Sequence, residues 1–457
     1  MIRNRSALSA TAAHETALSC LTAAVEAARP ARVVRQAVTL DGATLAIGDE
    51  SHDLTDYESV LVVGGGNAAA HVAAALEAQL GAAIDGGVVV TDDPVGTERV
   101  EVLPADHPIP SQRGVDSTHT LLDVAEAADE ETLVVAVVTG GGSACMVAPA
   151  DGLTLSDLQA TTDALLKSGA SIHEVNAVRK HCSKLKGGHL ARALAPARVS
   201  ALVLSDVVGD DLDVIASGPL VPDSSTYADG LSVLDEYGLS VPDPVRRRLA
   251  AGVDGSLSET PGPDDPAFER VRTHLVGTTM TALTAADEVA ADWGYETLVL
   301  SSRIRGAARE AALTPVAVAE EILDTGNPVE PPAVVLAGGE TTVRVTGDGR
   351  GGPNQEFALA AALDLPDGAV LAAIDTDGID GDSEVAGALV DGSTVTDRDE
   401  ARRALDANDA TSYLEGRGAV VETGPMGTNV NDVHALVVTG EGQPSQGGGD
   451  PPKPENP

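Results

Sequence analysis

From about residue 57 onward, short apolar runs rich in β-branched residues alternate with alanine-rich stretches of helical period. "YESVLVVGGG" ends in glycines and leads into "NAAAHVAAALEAQL". "TLVVAVVTGGGS" gives way to a polar turn and then to the helical "LSDLQATTDALLKSGA". "VSALVLSDVVGDD" is a third strand followed by a loop. Strand-like runs alternating with helical stretches predict parallel sheets covered on both faces. A Pro/Gly/Asp-rich stretch, "VDGSLSETPGPDDPAFE" (253–269), reads as a boundary. Beyond it the pattern resumes with "THLVGTTM", "TLVLSS", "AVVLAGGETTVRV", "AVLAAIDTDGIDG" and "HALVVTG". The expectation is an α/β protein with one domain over 6–250 and a second over 270–440. A disordered tail over 441–457 should follow, since "EGQPSQGGGDPPKPENP" has no apolar residues to bury.

Charge narrows the partners. The 457 residues carry 70 Asp and Glu against 29 Lys and Arg, a formal net charge of −41. Such a chain lacks the basic face that nucleic acid or an anionic membrane requires. Self-repulsion weakens the compact state, and concentrated salt screens it. With lysine almost absent and aromatics at 2%, the expectation is an intracellular protein of a salt-accumulating organism. Cys20, Cys145 and Cys182 are too few and too scattered for a disulfide framework or a zinc cluster. The opening "MIRNRSALSA" lacks the apolar core of a signal peptide, and no apolar run reaches membrane-spanning length, so a cytoplasmic location is expected.

Ligands of parallel α/β sheets bind outside the carboxyl ends of strands, and polar loops of this chain fall at such ends. Gly64, Gly65 and Gly66 precede the helix beginning near Asn67, and Thr139, Gly140, Gly141, Gly142 and Ser143 form a second loop of this kind. Bare amides at a helix start suit phosphate or carboxylate, although close packing of strand and helix also calls for glycine. Ser205, Asp206, Asp210, Asp211 and Asp213 follow a third strand. Mg²⁺ takes one or two carboxylates with waters and phosphates, and one of these groups could instead act as a base toward an alcohol. "DTDGIDGDSE" holds Asp375, Asp377, Asp380 and Asp382, but its glycine register and missing distal Glu exclude an EF-hand.

The lysines are unevenly placed. Of the five, Lys167, Lys180, Lys184 and Lys186 fall within twenty residues, and only Lys453 lies elsewhere, in the tail. If 176–190 is helical, Asn176, Lys180 and Lys184 share one stripe, with Arg179 and Lys186 to one side. A compact, strongly hydrated ammonium suits a phosphate contact as a point charge, so the expectation is that these lysines serve an anionic ligand. The histidines have no metal-ligand spacing, and no G-x-S-x-G elbow marks a serine hydrolase.

Taken in order, "ADHPIPSQRG", "TGGGSACM", "SGASIHEVNAVRKHCSKLKGGHLA", "LSDVVGDDLDVIASGPLVPDSSTYADGL", "LAGGETTV", "GGPNQEFALA", "DTDGIDGDSEVAGALVDG" and "TGPMGTNVNDV" resemble the glycerate 2-kinase (class II glycerate kinase, MOFRL-type) family over about residues 10 to 440. The resemblance implies two α/β domains facing a cleft, the first with a Rossmann-like parallel sheet and flanking helices, the second of MOFRL type. It implies phosphorylation of D-glycerate by ATP with Mg²⁺ (or Mn²⁺), usually at the 2-hydroxyl. On this reading Asp206, Asp210, Asp211 and Lys180 are the expected catalytic residues. Ser143, Asn176, Arg179, Arg350 and Asn354 would contact substrate. Gly64, Gly65, Gly66, Asn67, Gly141, Gly142, Lys186, Glu340 and Glu356 would seat the nucleotide phosphates, and Asp210, Asp211 and Asp377 the metal. A homodimer is an option the sequence leaves open.

Two positions depart from the family pattern. Its first glycine loop continues into lysine, "G-x-G-K", where this chain has Asn67. Its later "GGRNQE" has arginine where this chain has Pro353. Those roles are not carried over, and Arg350, Lys180 or Lys186 are the cations nearby in sequence that would replace them. Two alternatives stand beside the kinase: a nicotinamide-dependent hydroxypyruvate reductase, and a non-catalytic binder of glycerate or nucleotide. The first needs a dinucleotide fingerprint, which the first glycine loop matches poorly.

Overall fold

In the computed structural model, which describes residues 1–439, the run "TLVVAVVT" (132–139) is a strand buried at every position. A central strand covered on both faces requires this. The tail expected over 441–457 lies outside the described residues. The chain forms two compact units. One comprises Glu26–Thr281 with Gly427–Asn431; the other comprises Met1–Val25, Ala282–Met426 and the described residues from Asp432 onward.

The first unit opens with a three-stranded antiparallel sheet of β1 (Val38–Asp41), β2 (Thr44–Ile47) and β3 (Glu50–Asp53). Six parallel strands follow: β4 (Ser59–Gly65), β5 (Gly86–Thr91), β6 (Glu101–Pro104), β7 (Thr132–Thr139), β8 (Arg198–Leu204) and β9 (Val271–Gly277). They lie in the order β6-β5-β4-β7-β8-β9. Apolar clusters cover both faces. One contains Val63, Val134, Ala136 and Val203, the other Val62, Val135, Val137 and Leu202, so alternate residues of one strand feed opposite cores. A satellite layer of helices, Leu155–Ser168, Ile172–His181, Tyr227–Glu236 and Asp243–Val253, packs around Leu165, Val178, Tyr227 and Leu249. Leu155–Ser168 and Ile172–His181 start at capping boxes, Thr154 with Asp157 and Ser171 with Glu174, which satisfy first-turn amides reciprocally.

The second unit holds β10 (Glu296–Ala307), β11 (Ala333–Thr342), β12 (Ala369–Asp375), β13 (Gly387–Asp391), β14 (Val420–Val421) and β15 (Asp432–Val438), in the order β10-β11-β15-β12-β13-β14. Only β10 and β11 run parallel; every other pairing is antiparallel. The expected parallel sheet is therefore corrected here to a mixed one. No helix separates β12 from β13, and without a crossover two neighbouring strands pair antiparallel.

Two further expectations change. The stretch 253–269 is not a boundary between the units: it lies inside the first and leads into β9, which is bonded to β8. The N-terminal residues group with the second unit, not with the domain expected over 6–250. Their anchors are specific. Arg3 N donates to Glu422 O at 2.7 Å, Asn4 Nδ2 to Val420 O at 2.8 Å, and His14 pairs with Asp391 at 3.5 Å.

Candidate active site

In the parallel sheet the order reverses between β4 and β7, so their loops leave toward opposite faces and open a crevice at the carboxyl ends. The two glycine loops meet there. Gly66 has φ +127°, and a Cβ would lie 2.3 Å from Thr139 Oγ1. Gly141 has φ +72°, and a Cβ would lie 1.7 Å from Asn67 Oδ1. Only glycine tolerates both the backbone and the approach.

This close crossing occupies amides of the first loop. Gly66 N donates to Val90 O at 3.0 Å, Asn67 N to Gly140 O at 2.8 Å and Ala68 N to Thr139 Oγ1 at 3.2 Å. These amides are committed to the protein and are not bare donors for a phosphate, and Gly64 and Gly65 belong to β4 itself. Asn67 packs its side chain over the second loop, with Cys145 Sγ 3.8 Å from Oδ1. The second loop is different. Gly141 supplies no side-chain cap to the short helix Gly142–Cys145.

A polar chain leads away from that helix. Ser143 Oγ lies 2.7 Å from Ser217 Oγ, which donates to Asn176 Oδ1 at 2.9 Å. Asn176 Nδ2 is buried and has no hydrogen-bond partner among the described residues. Ser217 was missed by sequence reasoning. Its only signal is conformational: Ala216 and Ser217 both have positive φ, +50° and +62°, although neither is glycine. Such strain persists only where surrounding structure holds it, and it clusters at functional sites. On the same helix as Asn176, Arg179 has no ion pair among the described residues, and burial pushes its pKa down. Its positive charge acts on Lys186, whose Nζ donates to Met146 O at 2.9 Å.

The lysines sort differently from expectation. Lys167 and Lys184 are surface partners of Asp163 and Asp151 at 2.7 and 2.6 Å. Lys180 is buried, donating to Asp213 and, at 3.1 Å, to Asp223. Its charge is matched within the protein, where it ties the Asp-rich loop to Asp223. In that loop Asp206 packs against the second glycine loop, where a Cβ on Gly140 would lie 2.1 Å from Asp206 Oδ2. Asp210 has φ +58°, and Asp211 accepts from Asp213 N at 3.0 Å.

The remaining expected residues belong to the second unit. Arg350 makes a two-pronged pair with Glu415 at 3.0 and 2.9 Å, both partners half-exposed, so it is not a free cation for a substrate. Glu356 is buried and accepts from Arg309 Nε at 2.8 Å and Asn408 Nδ2 at 2.6 Å. These bonds tie its helix to Arg309 and Asn408. Glu340 is exposed near the end of β11. Asn354 Nδ2 donates to Asp432 Oδ1 at 2.7 Å and to Asp380 Oδ1 at 3.2 Å, and its buried Oδ1 has no partner. Asp377 Oδ1 accepts from Ile379 N at 2.7 Å. Asp375, from the acidic stretch noted in the sequence, and Asp432, which was not singled out there, face each other across β12 and β15. Burial, with Asp377 and Asp432 nearby, raises the Asp375 pKa well above the carboxylate range; burial lifts Asp432 to about 7. Among the described residues no group of three or more His, Cys, Asp or Glu is arranged to hold a metal ion, so Asp210, Asp211 and Asp377 do not form a ready-made site.

Comparison with known proteins places this arrangement. Residues 16–250 match the model described as "Domain of unknown function (DUF4147)", and residues 333–432 match the MOFRL family. A Pyrococcus horikoshii protein named "Glycerate 2-kinase" is 37% identical over 435 residues, which cover 93% of this chain and 97% of that one. An Agrobacterium vitis protein named "Putative hydroxypyruvate reductase" is 41% identical over 388 residues, covering 83% of this chain and 87% of that one. The crystal structure of a glycerate kinase from Thermotoga maritima superposes with a TM-score of 0.81 at 36% identity, covering 93% of this chain and 99% of that one.

Proposed function

The chain belongs to the glycerate 2-kinase family, and from that premise we propose that it transfers the γ-phosphoryl group of ATP to the 2-hydroxyl of D-glycerate. One observation carries the reading within this chain. In a protein of net charge −41, the half-buried Arg179 acts on the buried Lys186, and among the described residues neither has a carboxylate partner. Unmatched buried cations are costly, and an anionic ligand offsets that cost.

The substrate carboxylate binds at Arg179, with Asn176 Nδ2 and the Ser143–Ser217 pair orienting the rest of the molecule. Asp206, beside the second glycine loop, is placed to accept the proton of the attacking hydroxyl. Phosphoryl transfer asks for little beyond positioning and charge neutralisation. The nucleotide phosphates lie against the second glycine loop, Gly141–Ser143, because the amides of the first are already bonded. Asp210 and Asp211 fit Mg²⁺ as an ion that takes one or two carboxylates and completes its shell with phosphate oxygens and water. When bound, it neutralises charge on the phosphates.

The reductase reading is less well supported. It needs a pyrophosphate seat at the first βα turn, where the amides are occupied. The kinase reading extends to a cytoplasmic enzyme, in keeping with three buried free cysteines, and to a homodimer. No described helix is long and apolar enough to cross a membrane.

The test is turnover in molar KCl with D-glycerate, ATP and Mg²⁺, coupled through enolase, which responds to 2-phosphoglycerate. ADP release without the enolase signal would move the phosphate to the 3-position, and silence from folded protein would overturn the kinase reading.

A further inference from the structure

Among the described lysines, Lys186 alone lacks a carboxylate partner: Lys167 pairs with Asp163, Lys180 with Asp213 and Asp223, and Lys184 with Asp151. The side chain is buried, and among the described residues Met146 O is the one acceptor for an ammonium with three donors. The groups facing it from each neighbouring element do not supply a counter-charge. The helix Ile172–His181 contributes Arg179, a second cation. The second glycine loop contributes Cys145, whose thiol is neutral, pushed up to about 12 by burial and then by Asp92. Asp106 acts on Cys145 too, but the charges acting on Lys186 are those of Arg179 and Cys145. On its own segment, His189 Nδ1 bonds the Lys186 carbonyl.

We propose that, above neutrality, binding of the hydroxy-acid anion at Arg179 and Asn176 is coupled to uptake of a proton from solvent by Lys186 Nζ, so that there the site acquires its second positive charge when the ligand arrives. The inference rests on the kinase reading. Lys186 is then a positioning residue and need not touch the ligand: a negative charge a few ångströms away favours the ammonium through the low-dielectric interior. Burial first, and Arg179 second, lower the Lys186 pKa to about 7 in the free protein. The bound carboxylate counters the effect of Arg179 and raises it again. The balance is simple: the amine gains one proton, the buffer loses it, and the ligand's covalent bonds are unchanged. Below neutrality Lys186 is already charged and affinity is flat. Above it, affinity falls by up to about tenfold per pH unit, because each binding event must first recruit a proton.

Calorimetric titration of the full chain with D-glycerate at pH 8, in HEPES and in Tris, reads the uptake directly, since the two buffers release protons with different heats. The expected result is uptake approaching one proton per glycerate bound, absent in both Lys186→Met and Lys186→Arg. Lys186→Arg should also keep its affinity at pH 9, where the wild type has weakened. A merely structural lysine would move neither readout. Equal heats in both buffers, from protein that binds and phosphorylates glycerate, would overturn the coupling and leave the kinase reading standing. Undiminished uptake in Lys186→Met would assign the proton to another group and overturn it as well. No glycerate heat and no ADP release would overturn both readings. Should Lys186→Met fail to fold, the wild-type buffer comparison and Lys186→Arg still decide.

Discussion

Lys180→Met removes the cation that ties the Asp-rich loop to the helical layer, and its cost can be worked from the contacts. Lys180 Nζ donates to Asp213 and lies 3.1 Å from Asp223 Oδ1, and the Asp223 side chain is fully buried. Breaking a buried pair from one side leaves an uncompensated charge and costs about 3–5 kcal/mol. Asp223 keeps Ser225 N at 2.9 Å, Ser225 Oγ at 2.8 Å and Thr260 Oγ1 at 2.9 Å, which places the expectation near the lower end, ~3 kcal/mol. For a unit of this size that is a fall in Tm of roughly 6–12 °C. The sign with pH is also fixed. Burial pushes the Asp223 pKa up, but Lys180, Ser225 and Thr260 together outweigh it and hold it below the usual range. The pair's contribution is therefore present above the unfolded pKa and lost as pH falls through the folded one, so wild type and Lys180→Met converge in acid. Asp223→Asn in the Lys180→Met background restores part of the loss, because an amide needs no counter-charge. Turnover should fall at least tenfold with KM less affected, since Asp213 sits in the loop that carries Asp206. Scanning calorimetry from pH 4 to 8 and steady-state kinetics check these outcomes. A Tm change below about 2 °C, or a gap that widens in acid, refutes the reasoning.

Other substitutions separate roles. Arg179→Met should raise KM for glycerate by more than tenfold while leaving Tm unchanged or higher, because it removes a half-buried charge with no ion-pair partner among the described residues; steady-state kinetics and calorimetry read both. Arg350→Ala should keep turnover within about twofold and cost under about 1 kcal/mol, its partner being the half-exposed Glu415. Gly141→Ala should abolish turnover and lower Tm, since its Cβ would meet Asn67 Oδ1 at 1.7 Å in a backbone of positive φ. Asp432→Asn should flatten the fall in stability between about pH 4 and 7: a carboxyl held near 7 when folded binds protons that the unfolded chain releases, costing up to about 1.4 kcal/mol per pH unit. Chemical denaturation at several pH values measures that slope.

How much could be read from sequence depends on how local each feature is. β4 and β7 are almost continuously apolar and run into glycines, and their burial follows from that pattern; their parallel pairing follows from the helical stretches that alternate with them. β15 is just as apolar and buried at all seven positions, yet it runs antiparallel to both neighbours. Continuous burial reports that both faces are covered but not the direction of the neighbouring strand. The N-terminal helices were missed as partners of the second unit because their anchors are single polar contacts hundreds of residues away, such as Asn4 with Val420. Ser217 was invisible for a related reason, because its role lies in a strained backbone that no composition marks.

The lysines show most clearly where sequence reasoning stops. Four in one short stretch of so acidic a chain call for an explanation, and proximity in sequence suggests one for all of them. The structure divides them by partner. Two exposed lysines meet exposed acids, pairs worth little. Lys180 meets two carboxylates and anchors a loop. Lys186 meets a carbonyl and faces another cation. An ammonium's electrostatic energy depends on what lies within a few ångströms, and helical spacing fixes only its neighbours on the same helix. Asp223 is 43 residues from Lys180, and Met146 is 40 from Lys186. The anion site is marked less by where positive charge is concentrated than by where buried positive charge has been left without its acid, and that becomes visible only once the acids have been placed.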